Sequence, residues 1–185
     1  MRITGGKARG IQIKAPRSDI TRPATDRMRE AIFSSLGSCV INSKVIDLFA
    51  GTGAYGLEAI SRGASKAIFY ETNREALKCL KQNQQAVQKA CSIEADSISI
   101  FARDVYAPET VCENADLIFI DPPYANMEDR LDQIFAKADQ CSSIKAHLVL
   151  ELPGDLNPSP TSWRIVRRFG KPKRDTPNAI IFERF

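Results

Sequence analysis

The chain has 185 residues, 43% of them hydrophobic, enough for one domain burying roughly 70% of its unfolded surface but not for a second full one. No apolar run approaches the ~18 residues of a membrane span, and Met1-Arg-Ile-Thr-Gly-Gly6 lacks a signal-peptide core, so a soluble cytoplasmic protein is expected. The net charge of +4 is unevenly distributed: residues 1–30 carry eight Lys/Arg against three Asp/Glu, residues 163–185 carry seven against two, and the middle is acidic, which suits a polyanion held outside a site for a cationic small molecule.

Taken in order, Ile3, Ile11 and Ile13 flank Gly5-Gly-Lys-Ala-Arg-Gly10, predicting a hairpin whose turn offers Lys7 and Arg9 to phosphates. The next pattern is helical: Thr25 or Asp26 caps it, Met28, Ile32, Phe33 and Leu36 form its apolar stripe, and Gly37 stops it. Arg22, Arg27 and Arg29 are assigned to its polar side. Residues 1–40 are thus expected to be a basic RNA-binding extension laid on a main domain of residues 41–185.

Lys44 to Ala50 reads as a buried strand, and Gly51-Thr-Gly-Ala-Tyr-Gly56 turns it into a helix ending at Gly63. Gly51 and Gly53 would let backbone approach a ligand, and the helix N-terminus supplies free N–H groups. A strand at Lys66 to Tyr70 ends at Glu71, placed to hold ribose hydroxyls. A helix with Leu77, Leu80 and Val87 on one face follows, then a strand over 97–102 that leads to Asp104, within reach of an adenine amine.

The run Asp116-Leu-Ile-Phe-Ile-Asp-Pro-Pro-Tyr124 predicts a strand buried on both faces and halted by two prolines. The stiff turn presents the Asp121 carboxylate, the Pro122 carbonyl and the Tyr124 ring, a set suited to an exocyclic amine on a nucleobase. A helix from Met127 to Cys141, a strand from Lys145 to Leu152 and an antiparallel pair, Trp163 to Phe169 with Asn178 to Phe185, complete the chain. The alternation predicts an α/β, Rossmann-like fold: a mostly parallel sheet with helices on both faces, carrying Asp47, Glu71, Asp104, Asp121 and Glu151 at strand ends. His147 lies in an apolar run and is assigned a structural role; the five cysteines include no Cys-x-x-Cys pair, so free thiols and no metal are expected.

Two cofactors compete for such an edge. NAD fits the glycines and Glu71, but no Tyr-x-x-x-Lys pair supplies an acid, and Asp47 stands where dinucleotide sites have small apolar residues. S-adenosylmethionine explains Asp47 through its ammonium and the acidic cleft through its sulfonium.

The motif Val45-Ile-Asp-Leu-Phe-Ala-Gly-Thr-Gly-Ala-Tyr-Gly-Leu-Glu-Ala59 with Asp121-Pro-Pro-Tyr124 resembles the class I methyltransferases of exocyclic amines. Together with Arg9-Gly10, Thr21-Arg-Pro23 and Asp26-Arg-x-Arg-Glu-Ala-x-Phe33, it resembles the bacterial ribosomal RNA small-subunit methyltransferase D family. The resemblance, which runs from Arg2 to about Glu151, implies a seven-stranded sheet and methylation of guanine N2 in 16S ribosomal RNA. It implies catalysis by Asp121, Pro122 and Tyr124, and cofactor contacts at Asp47, Phe49, Gly51, Gly53, Glu71, Asp104 and Asp121. RNA contacts are expected at Lys7, Arg9, Arg22, Arg27 and Arg29, with the chain acting as a monomer on RNA, naked or in an assembled particle. A DNA adenine-N6 methyltransferase shares the motif order, but the chain leaves no room for a separate target-recognition domain. A non-enzymatic RNA-binding module would not need Asp-Pro-Pro-Tyr beside a cofactor loop.

Overall fold

A computed structural model describes residues 1–16, 25–107, 114–123, 127–173 and 176–185. An N-terminal hairpin, closed by Arg2 opposite Gln12, precedes α1 (Thr25–Leu36). Then follow β1 (Lys44–Asp47), α2 (Ala54–Ser61), β2 (Lys66–Tyr70), α3 (Arg74–Cys91), β3 (Ile98–Phe101), β4 (Ala115–Ile120), α4 (Met127–Cys141), β5 (Ser142–Pro153), β6 (Trp163–Phe169) and β7 (Pro177–Arg184).

The strands form one seven-stranded sheet in the order β3-β2-β1-β4-β5-β7-β6. Neighbours from β3 to β5 are parallel, and β7 runs antiparallel between β5 and β6. The chain winds outward from β1 to β3 and restarts at β4 on the other side of β1. That reversal opens a crevice at the carboxyl ends of β1 and β4, where ligands bind in open α/β sheets.

Both faces of the sheet's centre are covered, which is why β1, β2 and β4 are largely apolar rather than alternating. On one face Val45, Phe69, Phe119 and Val149 pack with Ile32 and Phe33 of α1, Leu57 of α2, Leu80 of α3 and Ile3 and Ile13 of the hairpin. On the other, Ile46, Ile68, Ile118 and Leu148 pack with Ile134, Phe135 and Ala138 of α4. The N-terminal segment therefore contributes to the principal core instead of lying on a finished domain.

Register decides what the edge presents. Asp47 is level with Phe69 on β2 and Phe119 on β4, and Phe119 is level with Val149 on β5. Side chains alternate between faces along a strand, so Glu71, Asp121 and Glu151, each two residues further on, continue the same face one step beyond Asp47.

Some boundaries differ from expectation. β1 ends at Asp47 rather than Ala50, yet the turning chain still bonds both neighbours: Leu48 N–H donates to Phe119 O at 3.0 Å and Ala50 N–H to Tyr70 O at 3.0 Å. β5 begins at Ser142, directly after α4, because Ser142 pairs with Ala115 ahead of a register shift in β4. Cys39, Cys79 and Cys91 are free, but Cys141 is disulfide-bonded, which corrects the expectation of a free thiol there. His147 is half-buried opposite Glu183, and burial lowers its pKa against the pull of that carboxylate. No helix among the described residues is long and apolar enough to cross a membrane.

Candidate active site

The crevice is built around the β1–α2 turn. Asp47, the last residue of β1, is 2% exposed, and its Oδ2 accepts the Gly56 N–H at 3.1 Å in the first turn of α2. Burial raises its pKa to about 7; the Gly56 bond opposes the rise and Glu71 adds to it. Its environment therefore calls for a positive charge, and among the described residues Asp47 takes part in no ion pair.

The three glycines of the turn have separate reasons. Gly51, with φ 51°, has open space where a Cβ would lie, so its backbone faces the crevice. Gly53 (φ 82°) would drive a Cβ into Leu80 Cδ1, and Gly56 would drive one into the Phe69 ring. The space of the side chain that Gly53 lacks is taken by a core leucine, while Gly56 lets α2 settle on β2, the packing role of the last glycine in such motifs.

Glu71 closes the turn from the side. Its Oε2 accepts Gly51 N–H at 2.7 Å, and its Oε1 accepts Thr72 N–H at 2.8 Å and Asn73 N–H at 2.7 Å. The carboxylate expected to meet a ribose is thus pinned in place and tied to the glycine loop. Asp104, exposed beyond β3, accepts Tyr106 N–H at 2.9 Å. Tyr106 stands 6.0 Å from the half-buried Phe49 ring, with the Arg130 guanidinium 5.7 Å from the Tyr106 ring centroid. Phe49, Tyr106 and Asp104 thereby form one wall.

Across the crevice, Asp121 is exposed at the end of β4 and Pro122 is buried behind it. Tyr124 lies outside the described residues, as does Arg22. Tyr55 was missed in the sequence, hidden as a variable position between glycines. Its ring is stacked on Phe119 at 4.9 Å, and its hydroxyl donates to Glu151 Oε1. Burial first, then the charges of Glu151 and Asp121, push that hydroxyl well above its ordinary range. A polar-tipped aromatic in a helix otherwise rich in small and apolar residues was the available signal.

The RNA-facing expectations divide. Lys7, Arg9 and Arg27 are exposed. The turn bearing Lys7 and Arg9 is fastened to the far end of α2, where Lys7 N–H donates to Ser61 O and Ala8 N–H to Ser61 Oγ, both at 2.8 Å. Eight residues of helix put that turn about 12 Å from the glycine loop. Lys14, not singled out from sequence, is exposed and nearer the rim: its N–H and carbonyl both bond Asn83, which also donates to Thr52 O.

Arg29 corrects its assignment. It is 2% exposed: Nε lies 3.2 Å from Glu58 Oε2, and Nη2 reaches Asp26 Oδ1 at 2.8 Å and the Arg2 carbonyl. The spacing 29, 32, 33, 36 was itself the sign, since it places Arg29 on the apolar stripe. The buried charge needed a partner, and Glu58, the one charged residue of α2, supplies it.

Comparison with known proteins places the chain among relatives. The family model described as Conserved hypothetical protein 95 matches residues 1–173. Ribosomal RNA small subunit methyltransferase D of Escherichia coli (strain K12) is 28% identical over 172 residues, covering 90% of this chain and 83% of that protein. The protein of the same name from Haemophilus influenzae is 34% identical over 124 residues, covering 67% and 64%. The solved structure of yhhF from Escherichia coli superposes with a TM-score of 0.82 at 25% identity, covering 100% of this chain and 97% of that one.

Proposed function

The chain belongs to the family described as Conserved hypothetical protein 95, and from that premise we propose that it is an S-adenosylmethionine-dependent methyltransferase of the exocyclic N2 of a guanine in 16S ribosomal RNA. The observation that carries the reading is the pairing, across the β1/β4 reversal, of a buried Asp47 carboxylate, in no ion pair among the described residues, and an Asp-Pro-Pro turn at Asp121. The residues fit the cofactor: Asp47 and the acidic rim favour a cation, and the space over Gly51 accepts a ligand against backbone.

When bound, S-adenosylmethionine supplies a methyl group activated by a cationic sulfur. Asp47 balances positive charge beneath the glycine loop, and Glu71, already oriented by three backbone N–H groups, offers its remaining lone pairs to ribose hydroxyls. Phe49, Gly51, Gly53 and Asp104 shape the rest of that pocket, Gly53 through the packing that holds the loop. Asp121 and the Pro122 carbonyl accept the amine hydrogens, favouring a nitrogen whose lone pair points out of the ring plane. Asp121 then stabilises the charge developing on nitrogen and receives its proton. Tyr124 stacks on the base, which must be unpaired to enter. Positioning of amine and methyl donor contributes much of the acceleration.

Lys7, Arg9, Arg22 and Arg27 hold phosphates of the RNA, with Lys14 closer to the rim; Arg29 belongs to the core. The substrate places the protein's work in the cytoplasm, on RNA or an assembled small-subunit particle, and the enzyme acts as a monomer.

Incubation with methyl-labelled S-adenosylmethionine and under-methylated small-subunit particles, naked 16S RNA or DNA, followed by digestion to nucleosides, tests the reading. N2-methylguanosine from RNA is the expected product. N6-methyladenosine, or label in DNA alone, would overturn it.

A further inference from the structure

We propose that Glu151 selects guanine over adenine at this site: it accepts the ring N1–H of the target base while Asp121 accepts hydrogens of the adjacent exocyclic amine. The inference rests on the methyltransferase reading and concerns which base that site takes.

The sheet sets the two carboxylates side by side. β4 and β5 pair Ile120 with Leu150, so Asp121 and Glu151 follow as neighbours one residue on, both on the face that carries Phe119 and Val149. Tyr55 bridges the two strands that carry them: it is stacked on Phe119 of β4, which packs in turn against Phe33 at 5.5 Å, and its hydroxyl holds Glu151 Oε1 of β5. A carboxylate offers about four lone-pair directions. The Tyr55 hydroxyl on Oε1 therefore orients the group.

Base chemistry supplies the rest. An exocyclic amine is common to guanine and adenine, so the Asp-Pro-Pro turn does not distinguish them. Guanine places a donor, N1–H, beside its N2 amine, whereas adenine places an acceptor, N1, beside its N6 amine. Two adjacent acceptors match the first pattern and set lone pair against lone pair with the second, and sites built to hydrogen-bond a group reject analogues lacking it.

The test uses small-subunit particles reconstituted with guanosine or 2,6-diaminopurine riboside at the nucleotide that the wild-type enzyme methylates. The second base keeps the amine on C2 but has an acceptor at N1. Wild-type enzyme should prefer guanosine by about 100-fold in kcat/KM. Glu151→Gln, whose amide both donates and accepts, should reduce the preference to within about fivefold, with melting temperature recorded alongside. Tyr55→Phe keeps the ring on Phe119 and removes only the hydroxyl; it should lower the preference by about three- to tenfold. A wild-type ratio near unity, or a ratio unchanged in both variants whatever their absolute rates, overturns the assignment. Failure of the wild-type enzyme to methylate guanosine at all would instead remove the reading on which it rests.

Discussion

Two buried carboxylates lie on the same strand–helix unit and are treated in opposite ways. Glu58, 0% exposed near the C-terminal end of α2, accepts the Thr4 N–H at 2.8 Å and hydroxyl at 2.7 Å and is ion-paired with Arg29 and Arg62. Asp47, beneath the N-terminal end of the same helix, has a backbone N–H and a like-charged neighbour, and its pKa stands near 7. A carboxylate neutralised from within is a fastening. One in no ion pair among the described residues is a candidate binding group.

The largest departure should come at the rim. Asp121→Ala is expected to lower kcat by about 1000-fold or more, the scale of losing a group that stabilises charge in the transition state. Cofactor affinity, measured by calorimetry, should change little. An unchanged kcat would remove Asp121 from the chemistry.

At the fastening, Arg29→Met keeps the stem's volume but leaves Glu58 without its buried cation. The expected loss is about 3–5 kcal/mol of unfolding free energy in urea titration. Folded variant assayed well below its melting temperature should retain RNA affinity within about twofold, whereas an RNA-contact role would also flatten the salt dependence of binding.

Asp47 separates the two ends by pH. Its folded pKa is raised from 3.8 to about 7, so the folded state holds the proton more tightly than the unfolded chain does. The associated stability is fully present below about pH 4 and is lost as pH rises through 7; at 1.36 kcal/mol per unit it amounts to about 4 kcal/mol at most. Asp47→Asn should flatten that loss in the ligand-free protein while weakening S-adenosylmethionine binding about tenfold or more. A stability profile identical to wild type between pH 4 and 8 would show that Asp47 is already neutralised within the fold.

The smallest effects belong to the surface. Arg9→Ala and Arg27→Ala should each weaken RNA binding a few-fold and reduce the salt slope by about 1, with kcat at saturating RNA unchanged. A fall in cofactor affinity instead would assign the arm to the pocket.

Legibility followed the range of the forces involved. β2 at Lys66–Tyr70, α4 at Met127–Cys141 and β6 at Trp163–Phe169 were readable because periodicity and breakers act over a few residues. The rim carboxylates were readable because each sits within three residues of a strand's end. Tyr55 was not, since its partner Glu151 is 96 residues away. Gly53 and Gly56 were legible as glycines but not in their purpose, which Leu80 and Phe69 set from other elements.

By itself the sequence determined that a doubly wound sheet would bring acidic strand ends and an Asp-Pro-Pro turn to one edge, because backbone preference, hydrophobic period and chain order are all written locally. Only the tertiary structure decided that Arg29 faces Glu58 rather than RNA, that the hairpin completes the core, and that Glu151 is held by Tyr55. Those outcomes depend on which charge must be neutralised when water is excluded, and that is settled only once distant segments meet.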